Sequence, residues 1–570
     1  SLADDGRYEI DLRLKQKEQQ FAQALLLATD VRLEAVARDG LVVPGQPVPI
    51  DLMAANRGKT RVEVAATLDG FSATGASAAC ERAELVAGGR TSCSASPTVA
   101  DDARLTAAHF RAGAEGARYV FDADVPFGLP FRPTPYTATF TLTVEGTTID
   151  ATLPVQSRSE GNIFSGEKRA ELHVVPKFAV SASPAIAIVP LATRAASGGA
   201  SPAPTVTRAR GTSPLPRTAR RGGPSAPPTA TPNDASSAQR EVRVTVTNHS
   251  KGAANADVGL DVPHGWSATP ASAPVTFTRE DEAMTVRFTL VAPPPAALEA
   301  GEVAVKARVT ASGARFADGY QVVEYPHTTR RHVLRTPEIA VKVLEVTVKP
   351  NLTVGYVMGV GDEVPAALEQ LGAHVQLIEA DELAWGDLSR YDVIMTGVRA
   401  YERRQDLRAY NHRLLEYARS GGTVIVHYNK FEFNEAQYGP YPAKVGRERV
   451  TDENAEVRVL APQHPVFAGP NRLGRADWLG WVQERGLYFL DTKGRDPQYT
   501  DLIEFDEPFP YNAGAKRGAL VEAVVGQGRW IYLGIGLWRQ LPAGTDGAYR
   551  LMANLISLGQ APRTPPTVVR

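Results

Sequence analysis

The feature that most constrains this chain is a change of hydrophobic period part-way along it. In its first 346 residues or so, apolar positions alternate with polar ones, as at Val31, Leu33 and Ala35, at Val242, Val244 and Val246, and at Val286, Phe288 and Leu290. A period of two marks a strand with one buried face. From Asn351 the pattern becomes short apolar runs, LTVGYVMG, HVQLIEA, YDVIMTG and TVIVHYN, separated by helix-like stretches. Strands buried on both faces and alternating with helices require a mostly parallel sheet covered by those helices. One chain therefore builds two kinds of core. Its 570 residues leave room for three or four domains at about 150 residues each.

Turn and composition signals divide it further. Residues 1–28 read as an N-terminal helix, with Leu12, Leu14, Phe21, Leu25 and Leu26 on its apolar side. Residues 29–180 read as a first β-sandwich, with turns predicted at Asp39-Gly40, Asn56-Arg57-Gly58 and Gly88-Gly89. Residues 181–347 read as a second sandwich, 348–560 as the α/β domain and 561–570 as a tail. The second sandwich is interrupted at about 192–237 by Pro, Ala, Ser, Thr, Gly and Arg, a composition too poor in apolar residues to offset its ordering entropy. Its arginines Arg208, Arg210, Arg217, Arg220 and Arg221 predict a solvated surface spacer, cut first by proteases. Docking on an acidic partner and O-linked sugar remain as other readings of it.

Charge and cysteine use exclude some classes of function. With 62 basic and 63 acidic residues the net charge is −1, whereas a nucleic-acid binder needs a basic face. No apolar run approaches the roughly 18 residues of a membrane span. Cys80 and Cys93 flank a glycine-rich turn and predict a disulfide, which implies an oxidising compartment. Two cysteines without nearby histidines do not make a structural zinc site, and His109 is isolated. The chain opens at Ser1 without Met or a signal-like region, and reads as part of a longer exported precursor.

Candidate site residues cluster in the α/β domain. Ligands of open parallel sheets gather at the carboxyl ends of the strands, where this sequence carries Arg399, Tyr401, His427, Tyr428 and Asn429, with His464 in a later loop. Arg399 suits a carboxylate or sugar acid; His427 is read as an acid or base near neutral pH. The nearby Asp477, Trp478, Trp481 and Glu484, with Tyr488, Trp530 and Trp538, either stack a sugar or pack the core. Gly359, Gly361 and Asp362 follow the first strand without the spacing of a nucleotide loop, and read as a tight turn. No G-x-S-x-G elbow occurs and the domain has no cysteine, so no catalytic residue, metal or cofactor is assigned.

Three stretches carry a family likeness. GGTVIVHYN, QHPVFAGPNRL with the following Asp477–Tyr488 segment, and GRWIYLGIGLW with RLMANLISLG resemble the ThuA-like branch of the class I glutamine amidotransferase-like fold. That resemblance implies a flavodoxin-like domain. The amidotransferases use a cysteine nucleophile, which is missing here. EVRVTVTNHSKG, GLDVPHGWSATP and the VAPPP stretch resemble the NEW-type immunoglobulin-like domains associated with secreted glycosidases. The order helix, sandwich, sandwich, ThuA-like domain resembles the C-terminal region of large bacterial PIG-L (LmbE-like) deacetylases, whose separate catalytic domain binds zinc through an A-H-P-D-D motif. Here the only His-Pro is His464-Pro465, so zinc belongs to a domain outside this chain. The resemblance implies a non-catalytic accessory region of an exported N-acetylglucosamine deacetylase, holding it on envelope polysaccharide or a protein partner. Two alternatives remain: a self-assembling surface protein, and a small-molecule or sugar site in the α/β domain.

Overall fold

The computed structural model describes residues 4–72, 80–113, 118–125, 128–160, 166–191, 239–325 and 327–559. The arginine-bearing spacer at 192–237 and the tail at 561–570 lie outside them. Strands dominate, and the described helices include none long and apolar enough to cross a membrane. The opening helix spans Asp4–Thr29. Its predicted apolar side is mostly uncovered: Leu12, Leu14 and Phe21 are exposed, and Leu26 packs against the first sandwich.

The first sandwich has two sheets around one core. One runs Glu167–Glu171, Gln156–Glu160, Val31–Ala37, Ile50–Asn56, Arg90–Ala95; the other runs Thr147–Pro154, Thr137–Val144, Val62–Asp69, Cys80–Leu85. Strict alternation explains the packing: Val62, Val64 and Ala66 meet Ile50, Leu52 and Ala54 across the interior. None of the three predicted turns closes a hairpin. Asp39-Gly40 leads into Leu41–Val42, which pairs in parallel with His173–Val174, and Val31–Ala37 takes Ile50–Asn56 as its antiparallel partner. Pro44, Pro47 and Pro49 leave too few amide donors near Leu41–Val42 to run a ladder there. Asn56-Arg57-Gly58 and Gly88-Gly89 each carry the chain from one sheet to the other. Buried Asn56 fixes both crossings: its backbone N–H donates to Gly89 O at 2.9 Å, its carbonyl accepts from Gly88 N at 2.9 Å, and its Nδ2 reaches Leu85 O at 2.9 Å and Thr60 O at 2.7 Å.

The second sandwich opens before the spacer. Phe178–Ser183 pairs with Gln239–Asn248, and Ile186–Leu191 lies parallel to Glu338–Glu345. The two sheets run Phe178–Ser183, Gln239–Asn248, Ala283–Val291, Ser267–Thr269 and Ile186–Leu191, Glu338–Glu345, Gly301–Ala311, Ala254–Asp261, Ser272–Phe277. A separate hairpin, Gly319–Val323 with Arg331–Arg335, reaches back towards the first sandwich. This sandwich is joined to the next domain by Arg240, whose guanidinium donates to Ile188 O at 2.6 Å and Gln370 O at 3.0 Å.

The C-terminal domain is a seven-stranded sheet with helices on both faces. Its spatial order is His374–Leu377, Thr353–Val357, Val393–Thr396, Thr423–His427, Gly528–Leu533, Leu520–Val525, Tyr499–Asp501. The first five are parallel, in the chain order second, first, third, fourth, fifth; each of the last two pairs antiparallel with the strand before it. Val364–Gln370 and Asp546–Ser557 cover one face, with Ile425, Met395 and Tyr356; Ala380–Trp385 and Gln405–Arg419 cover the other, with Val424, Ile394 and Tyr532. Among the described residues there is also a small sheet of Glu456–Val459, Ile503–Glu507 and Gly514–Lys516, which the sequence pattern did not reveal.

Candidate functional site

The parallel strands end together, and two clusters form there on opposite faces of the sheet. The reversal of strand order falls between Thr353–Val357 and Val393–Thr396, the usual place for a ligand in such a sheet. Here the protein fills it with its own carboxylate. Asp362 accepts hydrogen bonds from Tyr356 Oη at 2.7 Å, Val364 N at 3.2 Å and Val398 N at 3.1 Å. Glycine is required at two points of this closure. A Cβ on Gly359 would stand 1.9 Å from Val398 O, and one on Gly397 would meet the Asp362 carboxylate at 2.9 Å and the Tyr356 hydroxyl at 3.0 Å. Gly359 and Gly361 therefore belong to a tight turn braced against the next strand end.

His427 belongs to this closed side. It continues the Ile425 face of its strand, is fully buried, and has no hydrogen-bond partner at either ring nitrogen among the described residues. Burial pushes it down to about 4, against the pull of Asp362. The expectation of an acid or base working near neutral pH is corrected accordingly: the imidazole is held neutral in the interior. Asn429 and Tyr401 are also internal. Asn429 Oδ1 accepts from Tyr401 N at 3.0 Å, and Tyr401 Oη donates to Asn411 Oδ1 at 2.6 Å. His464 does not close the crevice. Its Nε2 bonds Glu522 Oε2 at 2.8 Å, and Glu522 bonds Arg529 at 2.8 Å. Arg529 pairs in register with Thr423, whereas Leu533 pairs with His427, so His464 lies towards the other end of the strands.

The opposite face carries a partly buried rim. Arg399 sits in the left-handed region (φ 56°, ψ 30°) at the turn into the short helix Ala400–Arg403, with its N–H on Tyr428 O at 2.9 Å. The guanidinium forks onto Glu402, with Nε to Oε2 at 2.6 Å. That pairing and the desolvation opposing it leave Arg399 above its ordinary value and Glu402 below its own. Burial raises the Tyr428 phenol, against the charges of Arg399 and Arg539. Its ring stacks on Tyr488 (centroids 5.9 Å, 6° apart) and leans on Trp538 at 5.8 Å. Phe431 meets Tyr488 edge-on at 5.8 Å, and Arg539 lies 4.1 Å over Trp538. Gln483, Tyr488 and Arg399 all have positive φ, and such strain collects where a site is being shaped.

The aromatic-acidic cluster divides between core and rim. Trp478 and Trp481 are buried in the main core with rings 5.7 Å apart, and Trp481 Nε1 donates to Asp477 O at 3.0 Å. Asp477 caps its own turn through Gly474 N at 2.7 Å and pairs with Arg550 at 2.7 Å. Those three residues are structural, and Trp530 is core as well. Glu484 reaches the rim by pairing with Arg539 Nε at 2.8 Å. Sequence reasoning missed Arg539 and Phe431; the Trp-Arg pair of GIGLWRQ was the available signal. The result is a stacked aromatic cluster edged by two ion pairs, Arg399–Glu402 and Arg539–Glu484, with Tyr428 buried within it. Among the described residues no cluster of metal-binding side chains occurs.

No family model matches this chain, and no curated protein matches it. Among solved structures it is similar to a β-galactosidase from Rahnella sp. R3, with 17% identity over 38% of this chain and 33% of that one, and a TM-score of 0.24. It is similar also to a β-galactosidase from Bacillus circulans sp. alkalophilus (13% identity, 36% and 31% covered, TM-score 0.23) and to Escherichia coli alpha-2-macroglobulin activated by porcine elastase (9%, 69% and 32%, TM-score 0.17). The chain spans about a third of the length of each. Likeness at these scores assigns neither fold nor function.

Proposed function

We propose that this chain is the non-catalytic accessory region of an exported PIG-L-type deacetylase, and that the rim around Arg399 holds an acidic sugar of the envelope polysaccharide. The second-first-third-fourth-fifth order of the parallel strands supports a flavodoxin-like, ThuA-like domain. The observation that carries the binding role is the turn at Arg399. A left-handed strand-to-helix turn presents one side chain to the rim, and here that side chain is a guanidinium beside the Tyr428–Tyr488 stack. A guanidinium neither attacks a carbonyl nor accepts a proton at ordinary pH, so the turn binds rather than turns over.

Arg399→Gly tests this cleanly, because glycine takes the left-handed backbone without strain. Calorimetric titration with glucuronate-containing oligosaccharides should give binding to the native chain and about 10-fold or greater loss in Arg399→Gly, the size expected for a charge-assisted pair. Equal affinity in both, with an unchanged melting temperature, would reject the site.

One observation favours self-assembly as a second reading. The paired strands Phe110–Ala112 and Tyr119–Phe121 leave Phe110, Tyr119 and Phe121 exposed side by side, a contiguous aromatic patch of the kind that marks interaction sites. Sedimentation velocity across a range of concentrations separates the two readings, since a polysaccharide-binding monomer keeps one sedimentation coefficient.

A further inference from the structure

A cavity of about 450 Å³ lies where the first sandwich meets the Gly319–Arg335 hairpin of the second, well away from the rim. Its walls are largely apolar, with Leu105, Val125, Tyr136 and Leu172 among them. Into the same cavity come His173, His332 and Arg331. The two imidazoles bond to each other through their Nδ1 atoms at 2.9 Å. Both Nε2 atoms are buried without a partner among the described residues, and so is Arg331 Nε. Arg331 is oriented from its other end, by Glu171 at 3.3 Å and by the Phe131 ring 4.1 Å below it.

Buried polar atoms are almost always satisfied, so three orphans on residues that line one cavity mark its polar side. In a neutral imidazole pair one ring donates its Nδ1–H and the other accepts. The accepting ring must then carry its proton on Nε2. That N–H and the Nε–H of Arg331 are two donors beside a chamber whose wall is mostly apolar but also carries Arg104, Asp124, Arg132 and Glu171. We propose that this junction cavity binds a small carboxylic acid with an apolar body, its carboxylate on Arg331 and on the imidazole whose Nε2 is protonated, and its body among the aliphatic and aromatic walls. The volume suits a compact small molecule, and the site joins residues of both sandwiches, so the ligand ties the two together.

Decanoate is the probe, added to the full chain with the histidines isotopically labelled. One-site binding by calorimetry, with the His173 and His332 side-chain resonances shifting together, is the expected result. Arg331→Gln should weaken decanoate by about 10-fold or more, while decanol, which has the same body and no charge, should not distinguish the two chains. No binding of decanoate to the native chain, or equal affinity in Arg331→Gln, overturns the proposal. Should Arg331→Gln not fold, the native chain still decides: decanoate that binds without moving both histidine resonances overturns it as well.

Discussion

Cys80 and Cys93 join the two sheets of the first sandwich. Cys80 opens the strand paired with Val62–Asp69, Cys93 lies opposite Leu52 on the other sheet, and the disulfide between them spans 6.0 Å from Cα to Cα. Both half-cystines pack against the core between the sheets. The closed loop of 13 residues' separation limits the unfolded chain and contributes about 3 kcal/mol in the chain-entropy model. Cys93→Ala should lower the stability of the first sandwich by about that amount. Denaturant unfolding with and without reductant checks it, and a native chain indifferent to reductant would contradict the pairing's role.

The disulfide also shows what was legible in the sequence and what was not. Its existence follows from two cysteines around a glycine turn, but that turn carries the chain between sheets and closes no hairpin. Local turn chemistry reports a reversal and not which sheet receives the next strand; here Asn56 decides that, by bonding Leu85, Gly88 and Gly89 from 29 or more residues away. The parallel strands were legible because strands buried on both faces read as unbroken apolar runs. The site was legible only in part. Strand ends named Arg399, Tyr428 and His427, yet alternation sends His427 and Tyr428 to opposite faces, and only Tyr428 reaches Arg399. His464 lay near the others in type but not in space, since its loop returns to the opposite end of the strands.

Asp362 should be structural in effect although it occupies a ligand's usual place. Asp362→Ala removes the acceptor for Tyr356 Oη, Val364 N and Val398 N. Tyr356 is almost wholly buried and would be left with an unpaired hydroxyl. The expected cost is about 2–3 kcal/mol of α/β-domain stability, read by chemical denaturation followed through tryptophan fluorescence. Asp362→Asn should recover part of it, because its amide oxygen still accepts.

The His464–Glu522–Arg529 cluster predicts an acid limb. Burial alone would raise Glu522, but hydrogen bonds and charge from His464 and Arg529 outweigh it and hold the carboxyl below its ordinary 4.5. A carboxyl depressed in the folded state stabilises above the unfolded value, and that contribution disappears as pH falls through the folded one. The α/β domain should therefore lose stability on acidification below about 4.5. Glu522→Gln should be less stable at pH 7 and show a shallower decline below that point in a pH series of denaturation curves.

The histidine pair at the sandwich junction predicts a loss that starts nearer neutrality. His173 and His332 are both pushed down to about 4, by burial first and then by positive neighbours: Arg331 and Arg330 act on His173, and His173, Arg330 and His249 act on His332. Unfolded, each would titrate at its ordinary 6.5. Above that value neither state binds a proton, so the pair leaves stability unchanged. Below it the unfolded chain takes up protons that the folded chain refuses, and stability falls steadily until the folded pair itself titrates. The affected contacts are those between the first sandwich and the Gly319–Arg335 hairpin, including Arg331 on Glu171. Hydrogen exchange of that hairpin should accelerate, relative to the rest of the chain, between pH 6.5 and 4. Replacing both rings, as His173→Phe with His332→Phe, should remove the acceleration while keeping the apolar packing. An unchanged pH profile in that double variant would assign the effect to other groups.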